Sequence, residues 1–376
     1  MRKIRVSFLS NGHFINDDLI YYRYAMTLAK SGIEVKIFAR NINNMKESQF
    51  SSITLYGIVP ENTNRFLRFF YYPFKIFIAS LRHPADVYII CTPALLLLGI
   101  IYKLLGKKVI YNAQENYQVK FLDRDWIPRW MTGFLSKMEK FLGNKMDGII
   151  VTDSISAKNY EPTKTIVLPN YPIYDDLLNE GKLVSKSYKA KKSFDMVYVG
   201  GISKSRGLEI FRKLIKKLPE NFYIHLYGRF SSKEEEESIS NERRIIYHGY
   251  IDHKELIPKL NEYDLGLCIF ENVPAYRYCA ENTTKLFEYM KSSLPVVVSN
   301  FPGLKKIVET ENCGIVVDPN DIDKMACLIR NIAEDSVRLN EMKKNSYKAF
   351  LTKYNWNAYE THLVTFVKRV LDRSSS

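Results

Sequence analysis

The sequence predicts an α/β protein made of two successive units, each a parallel sheet covered by helices. Three observations carry that expectation. Short β-rich apolar runs alternate with amphipathic stretches almost throughout, as parallel strands joined by crossover helices do. The alternation is interrupted once, at 180–193, by a polar stretch holding Lys182, Lys186, Lys189, Lys191 and Lys192, and then restarts. The length of 376 residues fits two domains of about 150 residues or somewhat more, and no repeat with a period of roughly 20–50 residues is visible.

The first unit opens with a strand at 4–9, where apolar residues alternate with Arg5 and Ser7. A turn follows, Ser10-Asn-Gly-His-Phe14. Gly12 can let a phosphate or sugar approach the backbone there. His13 is a sugar contact, a base or a structural histidine. An amphipathic helix at 19–30 leads to strands at 35–39 and 53–58. A helix at 66–81 leads to strands at 87–91 and 108–111, and a helix at 131–142 to strands at 148–151 and 165–168. After the lysine-rich stretch, strands are expected at 196–199, 223–227, 245–247, 265–269, 296–299 and 315–317, each followed by a helix. In doubly wound sheets ligands sit beyond the carboxyl ends of the strands, so two such units facing each other make a cleft.

Composition narrows the class. Apolar residues are 46% and charged residues 26%, as in ordinary globular proteins and unlike disordered or fibrous chains. The five cysteines, Cys91, Cys268, Cys279, Cys313 and Cys327, form no CxxC pair, which argues against a structural zinc or a disulfide framework and for a reducing compartment. The longest uncharged run, 16 residues at 87–102, contains Pro93 and falls short of the roughly 20 needed to span a bilayer. Arg2, Lys3 and Arg5 inside the first apolar alternation read as a strand rather than a signal peptide, and the last residues hold no prenylation motif. The expected location is the cytoplasm, with peripheral attachment to the inner face of the plasma membrane as an extension. The net charge of +14 points to anionic partners.

Two stretches carry chemistry. In Asn282-Thr-Thr-Lys-Leu-Phe-Glu-Tyr-Met290, Asn282 can cap a helix beginning at Thr283. The free N–H groups of Thr283, Thr284 and Lys285 then make an anion site, which the Lys285 ammonium reinforces. Glu288, one turn deeper on the same face, can accept two hydrogen bonds from a vicinal diol. The bland alternative is a capped helix with an exposed Lys–Glu pair. In Tyr198-Val-Gly-Gly-Ile-Ser-Lys-Ser-Arg-Gly-Leu208, Gly200 and Gly201 permit close backbone approach, and Lys204 and Arg206 can reach a diphosphate. This is neither a Walker loop nor GxGxxG, and a plain strand–turn–helix remains the alternative.

Asp123-Arg-Asp125 matches the Asp-x-Asp pattern of metal-dependent sugar transfer, but it ends no apolar strand and Asp321-Ile-Asp323 repeats it, so both are read as surface acids and no metal site is expected. Residues 65–145 hold 13 Lys/Arg and five Asp/Glu, a net +8, interleaved with Phe66, Phe69, Phe70, Trp126 and Trp130. That pattern fits an anionic lipid surface or, equally, a core-facing helix with a basic solvated face. No nucleic-acid-reading motif is present, so nucleic acid is not an expected partner.

Taken together, these residues resemble the retaining, nucleotide-sugar-dependent glycosyltransferases of the GT-B fold, family 4, also called group 1. Four stretches carry the resemblance: 18–35, ending in Leu28-Ala-Lys-Ser-Gly-Ile-Glu-Val35; Asn170-Tyr171-Pro172; Val199-Gly-Gly-Ile-Ser-Lys-Ser-Arg-Gly207; and Lys285-Leu-Phe-Glu-Tyr-Met290 with Leu294-Pro-Val-Val-Val-Ser299. The resemblance implies two Rossmann-like domains facing across a cleft, an acceptor-side domain at 1–175 and a nucleotide-sugar domain at 190–355, with a final helix at about 356–376 packing back on the first. It implies that Glu288 holds the ribose and that Arg206 matches the family's diphosphate-binding lysine. The loop's paired arginine falls on Gly201, so Lys204 or Lys285 replaces its charge. The first glutamate of the family's acidic pair falls on Ala280, leaving Glu281 one residue on as the sugar contact. The turn Tyr247-His-Gly-Tyr250-Ile251 resembles the base pocket, and Gln114-Glu115 stands where relatives carry His-Glu.

The implied chemistry is retaining transfer from a nucleoside diphosphate sugar to a hydroxyl of a glycan or lipid-linked acceptor, in cell-surface polysaccharide synthesis. It needs neither a protein nucleophile nor a metal. Arg206, Lys285 and Glu281 are the catalytic candidates, acting by position and charge. The nucleotide sugar is a substrate, so no cofactor is expected. A catalytically silent GT-B subunit that binds glycan or a partner enzyme is the alternative.

Overall fold

The computed structural model describes residues 3–42, 52–115, 128–174, 192–251, 253–277, 279 and 282–373. The chain divides into two compact units, Met1–Asn170 together with Trp356–Ser376, and Tyr171–Asn355.

The first unit is a seven-stranded parallel sheet in the order β3-β2-β1-β4-β5-β6-β7. Its strands are β1 (Arg5–Phe14), β2 (Glu34–Arg40), β3 (Ile53–Val59), β4 (Val87–Ile90), β5 (Lys108–Ala113), β6 (Gly148–Val151) and β7 (Thr165–Val167). Strands β4 and β6 are buried at every position, which is why they read as continuous apolar runs. Strand β1 differs from expectation. It does not end at Leu9 but continues to Phe14, with its register against β2 slipping between those two residues. The expected turn is therefore an irregularity inside the strand, closed by Ser10 Oγ, which accepts from the N–H groups of Gly12 (3.2 Å) and His13 (2.9 Å). His13 Nδ1 lies 2.8 Å from the same oxygen, a local structural role.

The connections β3 to β4, β4 to β5 and β5 to β6 all step the same way across the sheet. Right-handed crossovers therefore put their helices on one face: α2 (Tyr72–Arg82), α3 (Leu96–Leu104) and α4 (Arg129–Asn144). Contacts agree. The Ser80 hydroxyl of α2 hydrogen-bonds Tyr102 of α3, beside a Phe77–Tyr102 ring contact at 5.5 Å. A Cβ on Gly99 of α3 would stand 2.9 Å from the sulfur of Met146, just past α4. The step from β1 to β2 runs the other way and puts α1 (Met26–Lys30), entered through π-helical turns over Asp18–Ala25, on the opposite face. There it meets the returning chain. Trp356 Nε1 donates to Thr27 Oγ1 (2.9 Å), its ring lies 5.2 Å from that of Tyr24, and the Phe366 ring of a closing helix fills the space that a side chain on Gly148 would need.

The second unit is a six-stranded parallel sheet in the order β10-β9-β8-β11-β12-β13. Its strands are β8 (Phe194–Val199), β9 (Phe222–Tyr227), β10 (Ile245–Tyr247), β11 (Leu265–Cys268), β12 (Val296–Ser299) and β13 (Gly314–Val317). The strand order reverses between β8 and β11, so the loops leaving these two strands part there. Each unit is a Rossmann-like parallel α/β sandwich.

Candidate functional site

At the carboxyl ends of β8, β9 and β10 the backbone is drawn together by glycines. Gly200 donates to Tyr227 O and Gly228 to Gly249 O, each at 2.9 Å. Gly200, Gly228 and Gly249 have φ of 119°, 146° and 77°. A Cβ on Gly228 would run into the Gly200 carbonyl, so this close approach needs glycine. The loop after β8 then makes a 3-10 turn, Lys204–Arg206, and enters α5 (Leu208–Lys217) through left-handed Gly207. That turn returns Arg206 toward the glycines. Its Nη1 lies 3.4 Å from Gly201 O, and its Nε donates to the Tyr276 hydroxyl at 3.0 Å. The guanidinium fills the space a Cβ on Gly201 would take. The arginine missing at Gly201 thus leaves room for the one at Arg206.

Past α6 (His253–Leu260), helix α7 (Thr284–Lys291) supplies the second cation. It starts one residue later than expected. Thr283, not Asn282, precedes the first helical residue, no side chain caps it, and Leu286 N–H bonds back to Thr283 O at 3.0 Å. The expected trio of free N–H groups is therefore shifted along the chain. The Lys285 side chain runs to the glycine loop after β8. A Cβ on Gly200 would lie 3.4 Å from its Nζ. The ammonium sits 3.6 Å from the Tyr198 ring centroid and 5.2 Å from that of Phe270. Nζ is buried and has no hydrogen-bond partner among the described residues. Burial, helped by the nearby Arg206 charge, pulls its pKa down from the usual lysine value to about 7. Glu288, one turn on, is buried as well. What fixes α7 is Tyr289. Its hydroxyl accepts from Val199 N–H (3.0 Å) and stands 3.3 Å from the carbonyls of Val197 and Leu267. It bridges β8 and β11 where they part.

Beside the two cations lies a pocket of about 320 Å³ lined by Gly200, Gly201, Tyr227, Arg229, Tyr250 and Leu256, among others. Tyr250 is exposed, and the Arg229 guanidinium lies 4.7 Å from its ring centroid. Tyr227, Gly228 and Arg229 escaped the sequence reading, although a glycine followed by a basic residue directly after a strand is the signal that had picked out Gly200 and Arg206. Of the other expected residues, Lys204 is exposed and its N–H donates to Glu235 (2.7 Å). Gly12 lies on β1 of the first unit. Asp321 caps a helix by accepting from Lys324 N–H (3.0 Å), and Asp323 pairs with Lys217. Glu281, Ala280, Trp126, Asp123, Asp125 and most of the lysine-rich stretch lie outside the described residues.

Two cations, Lys285 buried and Arg206 half-buried, converge on the glycine backbone next to a pocket with an aromatic wall, and Lys285 Nζ has no hydrogen-bond partner among the described residues. Residues 180–349 match the family of glycosyl transferases group 1. In fold throughout, and in sequence over that stretch, the chain resembles the GT-B glycosyltransferases of this group, a class that takes nucleotide sugar donors. Among solved structures it is similar to sucrose-phosphate synthase from Thermosynechococcus elongatus, with a TM-score of 0.71 and 17% identity over 99% of this chain and 100% of the other. It is also similar to HepE of Anabaena in complex with UDP-glucose (TM-score 0.70, 14% identity, 97% and 100% covered). A third is WaaG, a glycosyltransferase involved in lipopolysaccharide biosynthesis (TM-score 0.68, 16% identity, 96% and 99% covered). No curated protein matches the sequence.

Proposed function

We propose that this protein transfers a hexosyl group, with retention, from a nucleoside diphosphate sugar to a hydroxyl of a glycan or lipid-linked acceptor in the cytoplasm, for cell-surface polysaccharide. The observation that carries the reading is the convergence of Lys285 and Arg206 on Gly200 and Gly201. Similar proteins bind UDP and UDP-glucose, which fits an anion site of this size beside a pocket.

In this reading the base lies against Tyr250 and Arg229, and Glu288 accepts from both ribose hydroxyls. The diphosphate lies over the glycines between the two cations, and Glu281 contacts the sugar. The acceptor hydroxyl attacks the anomeric carbon on the face the diphosphate leaves, and the departing phosphate oxygen takes its proton. Negative charge grows on the diphosphate as the bond breaks. Preorganised cations stabilise that charge most where water is excluded. A divalent ion is then not required, and activity should survive EDTA. Against the silent-subunit alternative stands the Lys285 ammonium, buried without a hydrogen-bond partner among the described residues, at a cost in stability that a bound anion would offset.

The test is a panel of nucleoside diphosphate sugars, with binding followed by calorimetry and sugar release by chromatography. At least one donor should bind and turn over. Arg206→Ala should lower kcat more than it raises KM, because the charge develops in the transition state. Glu288→Ala should weaken nucleotide binding by about tenfold or more, having lost charge-assisted bonds worth roughly 1.5–3 kcal/mol each. A wild type that binds donors but neither transfers nor hydrolyses any would leave the silent subunit standing.

A further inference from the structure

Helix α4 is built inside out. A helix covering a sheet buries its apolar stripe. Here the buried positions hold Thr132, Glu139 and Gly143. Glu139 Oε1 accepts from the Tyr160 hydroxyl at 2.6 Å, and burial raises its pKa. The opposite face carries Trp130, Phe134, Met138 and Phe141, and Trp130 is 80% exposed. The neighbouring helices bury apolar residues but also expose them. Leu97, Ile101, Leu104 and Leu105 are exposed on and just past α3, and Phe66, Phe70, Phe74 and Leu81 on α2 and the turn before it, with Leu104 at 83% and Phe70 at 72%. Phe69, expected with this group, is only half-buried. The crossover rule has already put all three helices on one side of the sheet.

The charges on this layer have one sign. Arg65, Lys75, Arg82, Arg129, Lys137, Lys140 and Lys145 are exposed, and within α2, α3 and α4 the sole carboxylate is the buried Glu139. Soluble monomers rarely leave large contiguous apolar patches in water. A second copy of this face is a poor cover, because it would bring net positive charge against net positive charge over residues 65–145. The cover has to be apolar inside and negative at its edge. An anionic bilayer has that profile: rings enter the headgroup–acyl boundary while lysine and arginine stems reach back to the phosphates.

We propose that the α2–α3–α4 face docks the protein on anionic lipid, with Trp130, Phe134 and Phe70 inserted at headgroup level and the surrounding lysines and arginines on the phosphates. The inference rests on the first unit alone and stands apart from the donor reading. The full-length protein is sedimented with vesicles of phosphatidylcholine containing one-third phosphatidylglycerol, and with phosphatidylcholine alone, at low and high salt. Binding is expected to the anionic vesicles at low salt, with partial release as salt screens the charges. Brominated lipid should quench the fluorescence of exposed Trp130. Lys137→Gln with Lys140→Gln should weaken binding about thirtyfold, each basic residue being worth about 1 kcal/mol. Trp130→Ser with Phe134→Ser should remove the salt-resistant part. Both variants change exposed side chains, so their melting temperatures and nucleotide affinity should match the wild type, which separates failure of docking from failure of the donor site. The proposal is overturned if the wild type ignores anionic vesicles at low salt. It is equally overturned if the protein is a dimer that Trp130→Ser with Phe134→Ser dissociates, since the face then belongs to a second copy.

Discussion

Lys285 works against the stability of the fold that holds it. Its pKa, 10.5 in an unfolded chain, falls to about 7 in the folded protein. Between those values the unfolded state binds more protons than the native state, so stability falls as pH drops from 10.5 and the full penalty is present below 7. Lys285→Met should therefore raise the melting temperature at pH 6.5, by roughly 2–4 °C for each kcal/mol relieved, and give little gain near pH 11. A diphosphate beside the amine reverses the shift. Nucleotide binding at pH 8 should then take up close to one proton, read by calorimetry in buffers of different ionisation enthalpy, and none in Lys285→Met. Zero uptake by the wild type would separate this ammonium from the phosphates. Gly201 shows what single residues conceal. Taken alone it counts as a lost arginine, but the Arg206 guanidinium occupies the space its side chain would fill, so the loop is rearranged rather than depleted. Spacing along the chain places Arg206 five residues away, and only the 3-10 turn with left-handed Gly207 closes that gap.

Among the elements, strands were the most legible, because a strand buried on both faces needs an unbroken apolar run and little else produces one. All six strands of the second sheet lie within a residue or two of the expected positions. Ends were less so. The start of α7 shifted by one residue because a backbone bond from Leu286 to Thr283 closes the first turn without any side chain. The orientation of α4 was not legible at all. Periodicity shows that an apolar stripe exists, whereas which way it faces depends on Tyr111 and Tyr160, which lie outside the helix and receive Glu139. Tyr289 is the element-scale hinge of the site. Tyr289→Phe would leave the buried Val199 N–H without an acceptor, a loss of about 1–3 kcal/mol. Chemical denaturation should read that loss directly. Because Val199 adjoins Gly200, nucleotide affinity should fall too, and unchanged affinity would show that α7 is held by packing alone.

Across the whole molecule, the two units were unequally legible for a physical reason. In the proposed reading the second unit holds a chemically constant group, a nucleoside diphosphate, and the family match over 180–349 lies within that unit. The same reading gives the first unit a variable acceptor, which constrains its residue types less. It also borrows its closing helix from beyond the second unit, a dependence gathered at Trp356, which is buried against Tyr24 and Thr27. Trp356→Ala should cost about 3–5 kcal/mol as a large core truncation. The loss should fall on the first unit, so heating should split one transition into two while nucleotide binding persists past the earlier one. A single unsplit transition at the wild-type temperature would contradict this dependence.

The returning chain also sets an order on synthesis. Emerging from the ribosome, Met1–Asn170 comes first yet cannot close, because Trp356 and the helix that covers Gly148 are still to be made. Tyr171–Asn355 is contiguous and has all its parts as soon as its last residue clears the exit tunnel. The half made second is thus completed first, and the half made first waits, at about 5–20 residues per second, for roughly 10–40 s with an apolar sheet face bare.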